Sequence, residues 1–592
     1  MSNRLEEDNP GPTGPMLRAA RAAAQRRIRV ALDQEPGDLL LTGGQVVNVF
    51  NRRVEPADVV IVDGRIAGVG CYSWRASQTI SVAGQVILPG LIDAHMHLES
   101  TLLTPAELAR LIVPMGTTAV ISDSHEVANV MGVRGIDMLA AACEGLPLDL
   151  FFMASSCVPA TAWEDAGAAL GPAEVNSLLS RRRVLGLAEV MDIPAVLNGG
   201  QEVLEKVETA LASGRVVDGH AAGLAGRELI AYAGAGIRSD HESTSAEEAR
   251  ARCALGMLVQ VREGSSAQNL DAMLPLLAAG ELDDSWCLVT DDIFPNDLMR
   301  HGHIDGLLRR VVAGGVPPAA AVRHASYVPA RHYGLIDRGA VAPGYRADLV
   351  VVDDLALFRV RTVLKGGKVV ARDGKCLPDG PAPRLERENT IHLGPLDEQA
   401  FRFPLAAENC SVIEIVPDQI ITRHTRRAVR RLGGHWAFDP ERDVLLIASI
   451  ERHRASGRLG LGLVSGFGLT HDGALGSSVA HDSHNLVIAG TNPRDMLVCA
   501  RALADHGGGF VAAAEGRVQA ILPLPVAGLL SLDDAGLVCR QLEEVNRAAH
   551  ALGCPLAAPF GTLSFLALPV IPELRITAQG VFDVRDQRFL TL

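Results

Sequence analysis

The chain has 592 residues, a formal net charge of −14 at pH 7, and 48% hydrophobic and 21% charged residues. This length exceeds what a single hydrophobic core supports, so about two to four domains are expected. The acidic balance excludes nucleic acids and anionic membranes as partners, because binding to them requires basic surface.

The N-terminal region and the cysteines allow a prediction of the cellular compartment of the protein. Residues 1–36 are polar, contain proline and then become rich in alanine and arginine, which predicts a leader followed by an amphipathic helix rather than a signal sequence. The ten cysteines form no Cys-X-X-Cys pair, which predicts reduced thiols and a cytoplasmic protein. No stretch reaches the about 18 apolar residues of a membrane span, so no membrane partner is predicted.

Residues 37–88 have the pattern of a small β domain. Alternating apolar segments are separated by glycine-containing dipeptides, among them Gly43-Gly44 and Asp63-Gly64. Such dipeptides are typical of tight hairpin turns between strands. We expect this first part of a β domain to lead directly into the next strand of the chain.

That next stretch, residues 86–101, reads VILPGLIDAHMHLEST. Side chains alternate across a strand, so His95 and His97 are predicted to project to one face, about 7 Å apart along the chain. Two imidazoles placed in this way can bind one metal ion. The alternative is a pair of ordinary strand histidines, and the residues at the later strand ends decide between the two.

From residue 91 to about residue 331, apolar segments alternate with helical ones. Helical segments such as TPAELARLIV and TSAEEARARCAL carry Ser or Thr before an acidic first turn. The strand candidates end at Met96, Ser122, Ser155, Glu189, His220, His241, Val261 and Asp291. Eight such units predict an α/β fold, a (β/α)₈ barrel over residues 89–337 with catalytic residues at the carboxyl ends of its strands. A doubly wound sheet is the alternative, but it would not gather these strand ends around one centre.

The pattern changes again after the barrel. Residues 338–385 return to short strands and glycine turns, and we expect them to complete one β-sandwich domain with residues 37–88. Pro378–Pro383 is rich in proline and glycine and predicts a linker. Residues 386–592 are long enough for a separate C-terminal α/β domain.

The strand ends carry the candidate site. Four imidazoles and two carboxylates suit divalent Zn, Fe or Mn, and six ligands exceed one tetrahedral site, so a two-metal centre bridged by Glu189 is predicted. A bound divalent ion lowers the pKa of water from about 15.7 to about 7. Asp291 would then act as general base and afterwards as acid, which predicts hydrolysis of an amide, a lactam or an amidine-like C–NH₂ group. The predicted metal ligands, of which Glu189 and Asp291 are also the predicted catalytic residues, are His95, His97, Glu189, His220, His241 and Asp291.

Other polar residues are expected at the same end of the barrel, where the carboxyl ends of the strands meet. Two interpretations are left open for each group. The acidic segment after strand 2 either supports the metals or substrate, or only caps a helix. Glu242 is expected to support its neighbouring ligand, and Arg262 either frames the substrate or forms a plain rim salt bridge. The segment HDSHN at residues 481–485 is either a lid over the barrel or a local turn. The candidate supporting or substrate residues are Asp123, His125, Glu126, Glu242, His481 and His484.

Several motifs together resemble a known family. PGLIDAHMHLE, the later TDD and the segment RGAVAPGYRADLVVVD resemble the amidohydrolase superfamily. GTTAVISDSHEVANVMG, GLAEVMDIPAVLNG, VDGHAAGLAG and SDHES resemble its bacterial adenine deaminase family, and GFGLTHDGALGSSVAHDSHNLVIAGTN resembles that family's additional C-terminal domain. The similarity covers nearly the whole chain after residue 37.

The resemblance implies hydrolysis of adenine to hypoxanthine and ammonia in purine salvage, at a centre of two Mn²⁺ or Fe²⁺ ions, with Zn²⁺ as a further option. It implies that Glu189 stands where dihydroorotase-like relatives carry a carboxylated lysine. The chain departs from the family in reading Asp-Ser-His-Glu at residues 123–126, where Asp-Pro-His-Glu is common, and Ile-Phe-Pro-Asn-Asp at residues 293–297, where Arg-Asn-Pro is more usual.

The sequence supports three hypotheses for the function. The leading one is an adenine aminohydrolase that binds a small purine base. The second is a cyclic-amide or other amidine hydrolase of the same superfamily, and the third is a non-catalytic scaffold. A symmetric homo-oligomer, with a dimer as the default, is expected in each case.

Overall fold

The computed structural model describes residues 14–377, 383–417 and 419–590. The first thirteen residues of the predicted leader and residues 378–382 of the predicted linker lie outside the described ranges. No helix in the described ranges is long and apolar enough to cross a membrane. The first elements are α1 (Gly14–Ala31), β1 (Gly37–Thr42), β2 (Gln45–Asn48), β3 (Arg53–Pro56), β4 (Asp58–Val62), β5 (Arg65–Gly70), β6 (Ala76–Ser81) and β7 (Val86–Pro89).

Strands then alternate with helices in the central region. Its strands are β8 (Leu91–Met96), β9 (Thr117–Asp123), β10 (Asp149–Ala154), β11 (Val184–Val190), β12 (Val216–Gly219), β13 (Ser239–Asp240), β14 (Leu258–Arg262) and β15 (Trp286–Val289). Its helices are α2 (Pro105–Ile112), α3 (His125–Met131), α4 (Val133–Ala142), α5 (Pro172–Leu179), α6 (Ile193–Leu197), α7 (Gln201–Ala212), α8 (Gly226–Gly234), α9 (Ala246–Ala254), α10 (Leu270–Ala278), α11 (Pro295–His301), α12 (Ile304–Ala313), α13 (Pro318–His324) and α14 (Tyr327–His332).

The remaining elements are mostly strands. They begin with β16 (Leu349–Val352), β17 (Val360–Lys365), β18 (Lys368–Arg372) and β19 (Lys375–Cys376). The C-terminal region contains β20 (Asn409–Ile415), β21 (Thr422–Ala428), β22 (Arg431–Leu432), β23 (His435–Trp436), β24 (Leu445–Ile450), β25 (Leu459–Ser465), β26 (Ala474–Ser477), β27 (Leu486–Gly490), α15 (Pro493–His506), β28 (Gly509–Ala514), β29 (Arg517–Pro523), α16 (Ala535–Ala551), α17 (Pro559–Phe565), β30 (Leu574–Thr577), β31 (Gly580–Asp583) and β32 (Arg588–Phe589).

The eight strands β8–β15 close into a barrel. β8 to β12 pair in parallel with their sequence neighbours, and so do β13 to β15. Met96 at the end of β8 forms a parallel bridge with Asp291, and Arg238 N–H donates to the Val217 carbonyl at 3.0 Å, so both gaps between the two groups are joined. The predicted (β/α)₈ barrel is therefore confirmed, and the doubly wound alternative is wrong.

Local capping explains why helices begin where the sequence predicts. The Thr104 side chain accepts the Glu107 N–H before α2, and the Ser245 side chain accepts the Glu248 N–H before α9. Each bond satisfies one of the orphan N–H groups of a first helical turn. The loops between the barrel strands and the helices that follow them carry polar residues at the carboxyl ends of the strands.

The β region beside the barrel consists of two sheets. One sheet has the order β5-β4-β1-β6, and the other has the order β19-β18-β17-β16-β7-β2-β3. The second sheet combines strands from before and after the barrel, because β16 pairs antiparallel with β7, with Leu349 opposite Pro89. The two flanks are thus one composite β-sandwich.

One of the two predicted hairpin turns is wrong. Asp63-Gly64 joins the antiparallel strands β4 and β5, with both residues at positive φ, as a tight hairpin requires. Gly43-Gly44 instead carries the chain from β1 in one sheet to β2 in the other. A Cβ on Gly44 would lie 2.9 Å from the Val82 side chain, so the glycine is needed for close approach and not for a hairpin.

The C-terminal region forms a separate sheet domain. Its main sheet has eight strands in the order β21-β20-β25-β24-β27-β26-β28-β29, and α15 packs on it with buried apolar side chains such as Met496 and Leu503. The loop between β26 and β27 contains the HDSHN segment, and every residue of that segment is buried. The segment therefore lies inside the molecule, between this domain and the barrel.

Candidate metal centre and active site

The site begins on β8, where all six residues are buried. His95 and His97 share one face, with ring centroids 5.1 Å apart. Asp93, two residues earlier, accepts the Thr290 hydroxyl at 2.5 Å and lies 2.8 Å from His303 Nε2. These contacts fix β8 to the residue that follows β15 and to the residue that precedes α12.

Asp291 is bound to the same strand through its backbone. Its N–H donates to the His95 carbonyl at 3.0 Å, and its carbonyl accepts the His97 N–H at 3.3 Å. The φ of Asp291 is 58°, in the left-handed region, and this directs its carboxylate toward the two imidazoles. Its Oδ1 lies 3.4 Å from His95 Nε2 and 3.1 Å from His97 Nε2, while Oδ2 accepts Arg262 Nη1 at 2.9 Å.

Glu189, near the end of β11, lies between two groups of histidines. Its Oε1 is 3.4 Å from His97 Nε2 and 4.0 Å from His95 Nε2. Its Oε2 is 2.7 Å from His220 Nδ1 and 3.3 Å from His241 Nε2. One carboxylate oxygen therefore faces each group, and the six predicted ligands form a single cluster, in which His220 is half-buried and the other five are buried.

The electrostatics of the cluster keep its carboxylates ionised. Burial alone would raise the pKa of Asp291, but the adjacent imidazoles of His95 and His97 and the Arg262 charge hold it well below its usual value. Burial acts on Glu189 in the same way, and His241 and His220 hold its pKa well below the usual value. Both carboxylates are thus available as anionic ligands or as proton acceptors.

The residues present fit a divalent metal ion. His95 Nε2 is buried without a hydrogen-bond partner and faces the carboxylates of Asp291 and Glu189. Imidazole and carboxylate donors suit borderline divalent ions. Sets of three donor atoms within 4.8 Å of one another include His95–His97–Asp291, His95–Glu189–His241 and His220–His241–Glu242.

Glu242 and Arg262 share one edge of the cluster. Glu242 Oε1 lies 3.4 Å from His241 Nε2 and 3.8 Å from His220 Nδ1, and it also accepts a hydrogen bond from Arg262. Arg262 therefore links Glu242 to Asp291. This places the guanidinium in the floor of the cavity and not on an exposed rim, since the side chain of Arg262 is only 6% exposed.

Glu126 connects the barrel to the C-terminal domain. His481 Nδ1 lies 2.6 Å from Glu126 Oε1, and His484 Nε2 hydrogen-bonds Glu126 Oε2. His484 Nδ1 accepts the Ala480 N–H, so the neutral ring carries its proton on Nε2 and donates it to Glu126. Both carboxylate oxygens of Glu126 therefore contact histidines of the C-terminal domain.

Asp123 and His125 lie between Glu126 and the histidine cluster. Asp123 Oδ1 accepts the His125 N–H at 3.1 Å, which is the capping contact that the sequence left open. His125 Nδ1 lies 3.3 Å from the same carboxylate oxygen and 3.7 Å from Glu189 Oε1. The segment after β9 thus caps α3 and also faces the cluster.

Part of the cavity wall has no counterpart among the predicted site residues. The C-terminal domain contributes apolar side chains to the cavity, namely Ile420, Phe565, Leu568 and Ile571. The same domain contributes the buried carboxylate of Asp482. Single apolar residues in loops or at the end of a short helix carry no periodic signal, so only the neighbouring HDSHN histidines offered a hint of this wall.

A buried ion pair between β13 and α9 lies next to His241. Arg252 Nε donates to Asp240 Oδ2 at 3.0 Å, with the two side chains 1% and 0% exposed. Asp240 Oδ1 also accepts the Ala221 N–H, which ties β13 to the end of β12. Replacing Arg252→Met leaves a buried carboxylate without its partner, and we expect the free energy of unfolding to fall by about 3–5 kcal/mol.

Urea or thermal unfolding would measure this effect. Arg250→Met on the same helix is the matched control, because its pair with Glu281 is exposed and such pairs contribute little. Similar stability losses in the two variants would contradict the role of the buried pair.

A closed parallel barrel with histidines and carboxylates converging at the carboxyl ends of its strands is the architecture of a metal-dependent hydrolase of the amidohydrolase class. The amidohydrolase family profile matches residues 86–370, and the profile of the adenine deaminase C-terminal domain matches residues 419–588. An adenine deaminase from Methanothrix thermoacetophila is 45% identical over 94% of this chain and 97% of that protein. One from Desulfatibacillum aliphaticivorans is 43% identical over 95% of this chain and 99% of that protein. The chain belongs to the adenine deaminase family.

Proposed function

We propose that the chain hydrolyses adenine to hypoxanthine and ammonia at a centre of two divalent ions, Mn²⁺ or Fe²⁺, with Zn²⁺ as the alternative. The observation that carries the two-metal proposal is the position of Glu189, with one oxygen facing His95 and His97 and the other facing His220 and His241. Similarity over nearly the full length to proteins named adenine deaminase supports the substrate.

Each group of histidines would hold one ion. His95, His97 and Asp291 would bind the first, His220 and His241 the second, and Glu189 would be shared. Ions bound there would supply Lewis acidity that acidifies water and polarises the carbon under attack.

Asp291 is the proposed proton carrier. Its carboxylate is ionised and buried, and Arg262 holds one of its oxygens at 2.9 Å. It would take a proton from the attacking water and deliver it to the amino group that leaves as ammonia. The base gains the oxygen and loses the nitrogen, so water and adenine give hypoxanthine and ammonia.

We assign supporting roles to the other polar residues of the mouth. Glu242 and Arg262 would orient Asp291 and the histidines beside it. His481 and His484 would hold Glu126 and thereby keep the C-terminal domain closed over the barrel. Asp123 and His125 would fix the segment between Glu126 and the histidine cluster.

The proposal also covers the compartment, the oligomeric state and the metabolic role of the enzyme. We infer a cytoplasmic homodimer that acts in purine salvage. The ten cysteines are scattered along the sequence without a Cys-X-X-Cys pair, which supports a reducing compartment. A dimer is the commonest symmetric assembly of soluble enzymes.

The test combines metal content with ammonia release from adenine, on one preparation supplemented with manganese and protected from oxidation. About two metals per chain with turnover of adenine would support both parts of the proposal. Metal without turnover would contradict the substrate, and dihydropyrimidines and hydantoins are then the substrates to assay. Protein without metal under these conditions would contradict the centre itself.

A further inference from the structure

The cavity above the cluster has two chemically different halves. The barrel supplies charged groups, among them Asp291, Glu189 and Arg262. The opposite half supplies the apolar wall, defined as Ile420, Phe565, Leu568 and Ile571. A flat heteroaromatic ligand requires this combination, because its faces are apolar while its edges carry donors and acceptors.

Arg575 holds the apolar wall together. Its Nε donates to the Ile571 carbonyl at 2.6 Å, Nη1 to the Phe565 carbonyl at 2.8 Å and Nη2 to the Ile420 carbonyl at 2.7 Å. The residue is fully buried, and burial lowers the pKa of its guanidinium to about 9. One guanidinium therefore fixes three separate segments that carry wall residues.

Asp482 lies between two anchored neighbours. His481 hydrogen-bonds Glu126, and the Ser483 hydroxyl donates to Glu164, so both sides of Asp482 are fixed to the barrel. Asp482 is only 2% exposed and lines the cavity. Its Oδ1 is 3.8 Å from His125 Nε2, and its Oδ2 has no hydrogen-bond partner.

An unpaired oxygen on a buried carboxylate is costly, because the group has lost its water without gaining a donor. In a cavity wall, such an atom favours a ligand that brings an N–H group to it. Adenine has N–H groups at its amino nitrogen and on its imidazole ring. The amino group must face Asp291 and Glu189 to be replaced, so the ring N–H is the donor left for another carboxylate.

We propose that Asp482 is a specificity-determining residue whose free carboxylate oxygen accepts a hydrogen bond from the imidazole-ring N–H of the base, while the apolar wall packs on the face of that base. This assignment rests on the proposed function. It makes the C-terminal domain part of the substrate site, with Arg575 as a positioning residue that acts through the wall.

The test compares adenine with 9-methyladenine, which lacks the ring N–H, in the wild-type enzyme and in Asp482→Ala and Asp482→Asn. Loss of a hydrogen bond to a charged group predicts a fall of about 10- to 100-fold in kcat/KM for adenine in Asp482→Ala, mainly through KM. Asp482→Asn keeps an acceptor of the same size and should recover part of that loss. The preference for adenine over 9-methyladenine should shrink in the alanine variant.

Metal content and the melting temperature of each variant are measured alongside the kinetics. Asp586→Ala, which removes an exposed carboxylate of the same domain, is the control. An unchanged KM for adenine, an equal loss for both bases, or loss of metal from the folded Asp482→Asn protein would each overturn the assignment. A wild-type enzyme that releases no ammonia from adenine would instead contradict the proposed function.

Discussion

Replacing Asp291→Asn is expected to lower kcat for adenine by roughly 10²–10⁴-fold, the usual contribution of a positioned acid–base group. Asparagine has the same shape and keeps an oxygen toward His95 and His97, but it cannot take the proton of the attacking water. It also leaves Arg262 with a weaker partner on that side of the cavity. Initial rates of ammonia release at saturating adenine would measure the effect.

Metal analysis of the same sample separates proton transfer from metal binding. His95, His97 and Glu189 would remain as ligands of the first ion, and asparagine keeps an oxygen at the position of the carboxylate, so we expect the folded variant to keep most of its metal. Asp284→Asn, at the opposite end of β15 and 42% exposed, is the matched control and should keep full activity. An Asp291→Asn enzyme with nearly normal kcat would show that another group carries the proton.

The parts of the site that depend on local periodicity could be predicted from the sequence. His95 and His97 share a face because side chains alternate on a strand, and Asp291 is recognisable because it comes after a short apolar segment. The barrel brings these positions together, since the carboxyl ends of parallel strands meet at one rim. No long-range contact has to be known for this step.

The parts that depend on long-range packing could not be predicted. Glu126 pairs with His481, which lies 355 residues further along the chain, and no local pattern encodes that contact. The apolar wall consists of three loop residues and the last residue of α17, which resemble core residues in sequence. Gly43-Gly44 is an error of the opposite kind. This dipeptide is typical of hairpins, but here it connects β1 in one sheet to β2 in the other.

Replacing Glu189→Ala is expected to abolish stable binding of metal as well as turnover. The substitution removes the two oxygens that lie between the histidine groups, and no other carboxylate in the described cluster faces both groups as closely. His220 and His241 would then keep only Glu242, which Arg262 already engages. We expect metal content to fall by at least one ion per chain and kcat to fall with it.

Metal analysis after gel filtration, with and without added manganese, checks this expectation. Glu208→Ala, an exposed carboxylate on α7, is the control and should bind metal as the wild type does. The two variants are expected to fail differently, because Asp291→Asn keeps metal and loses proton transfer, whereas Glu189→Ala loses the ions themselves. A Glu189→Ala protein that retains two ions would show that the shared carboxylate does not hold the centre together, and the two groups of histidines would then bind metal independently.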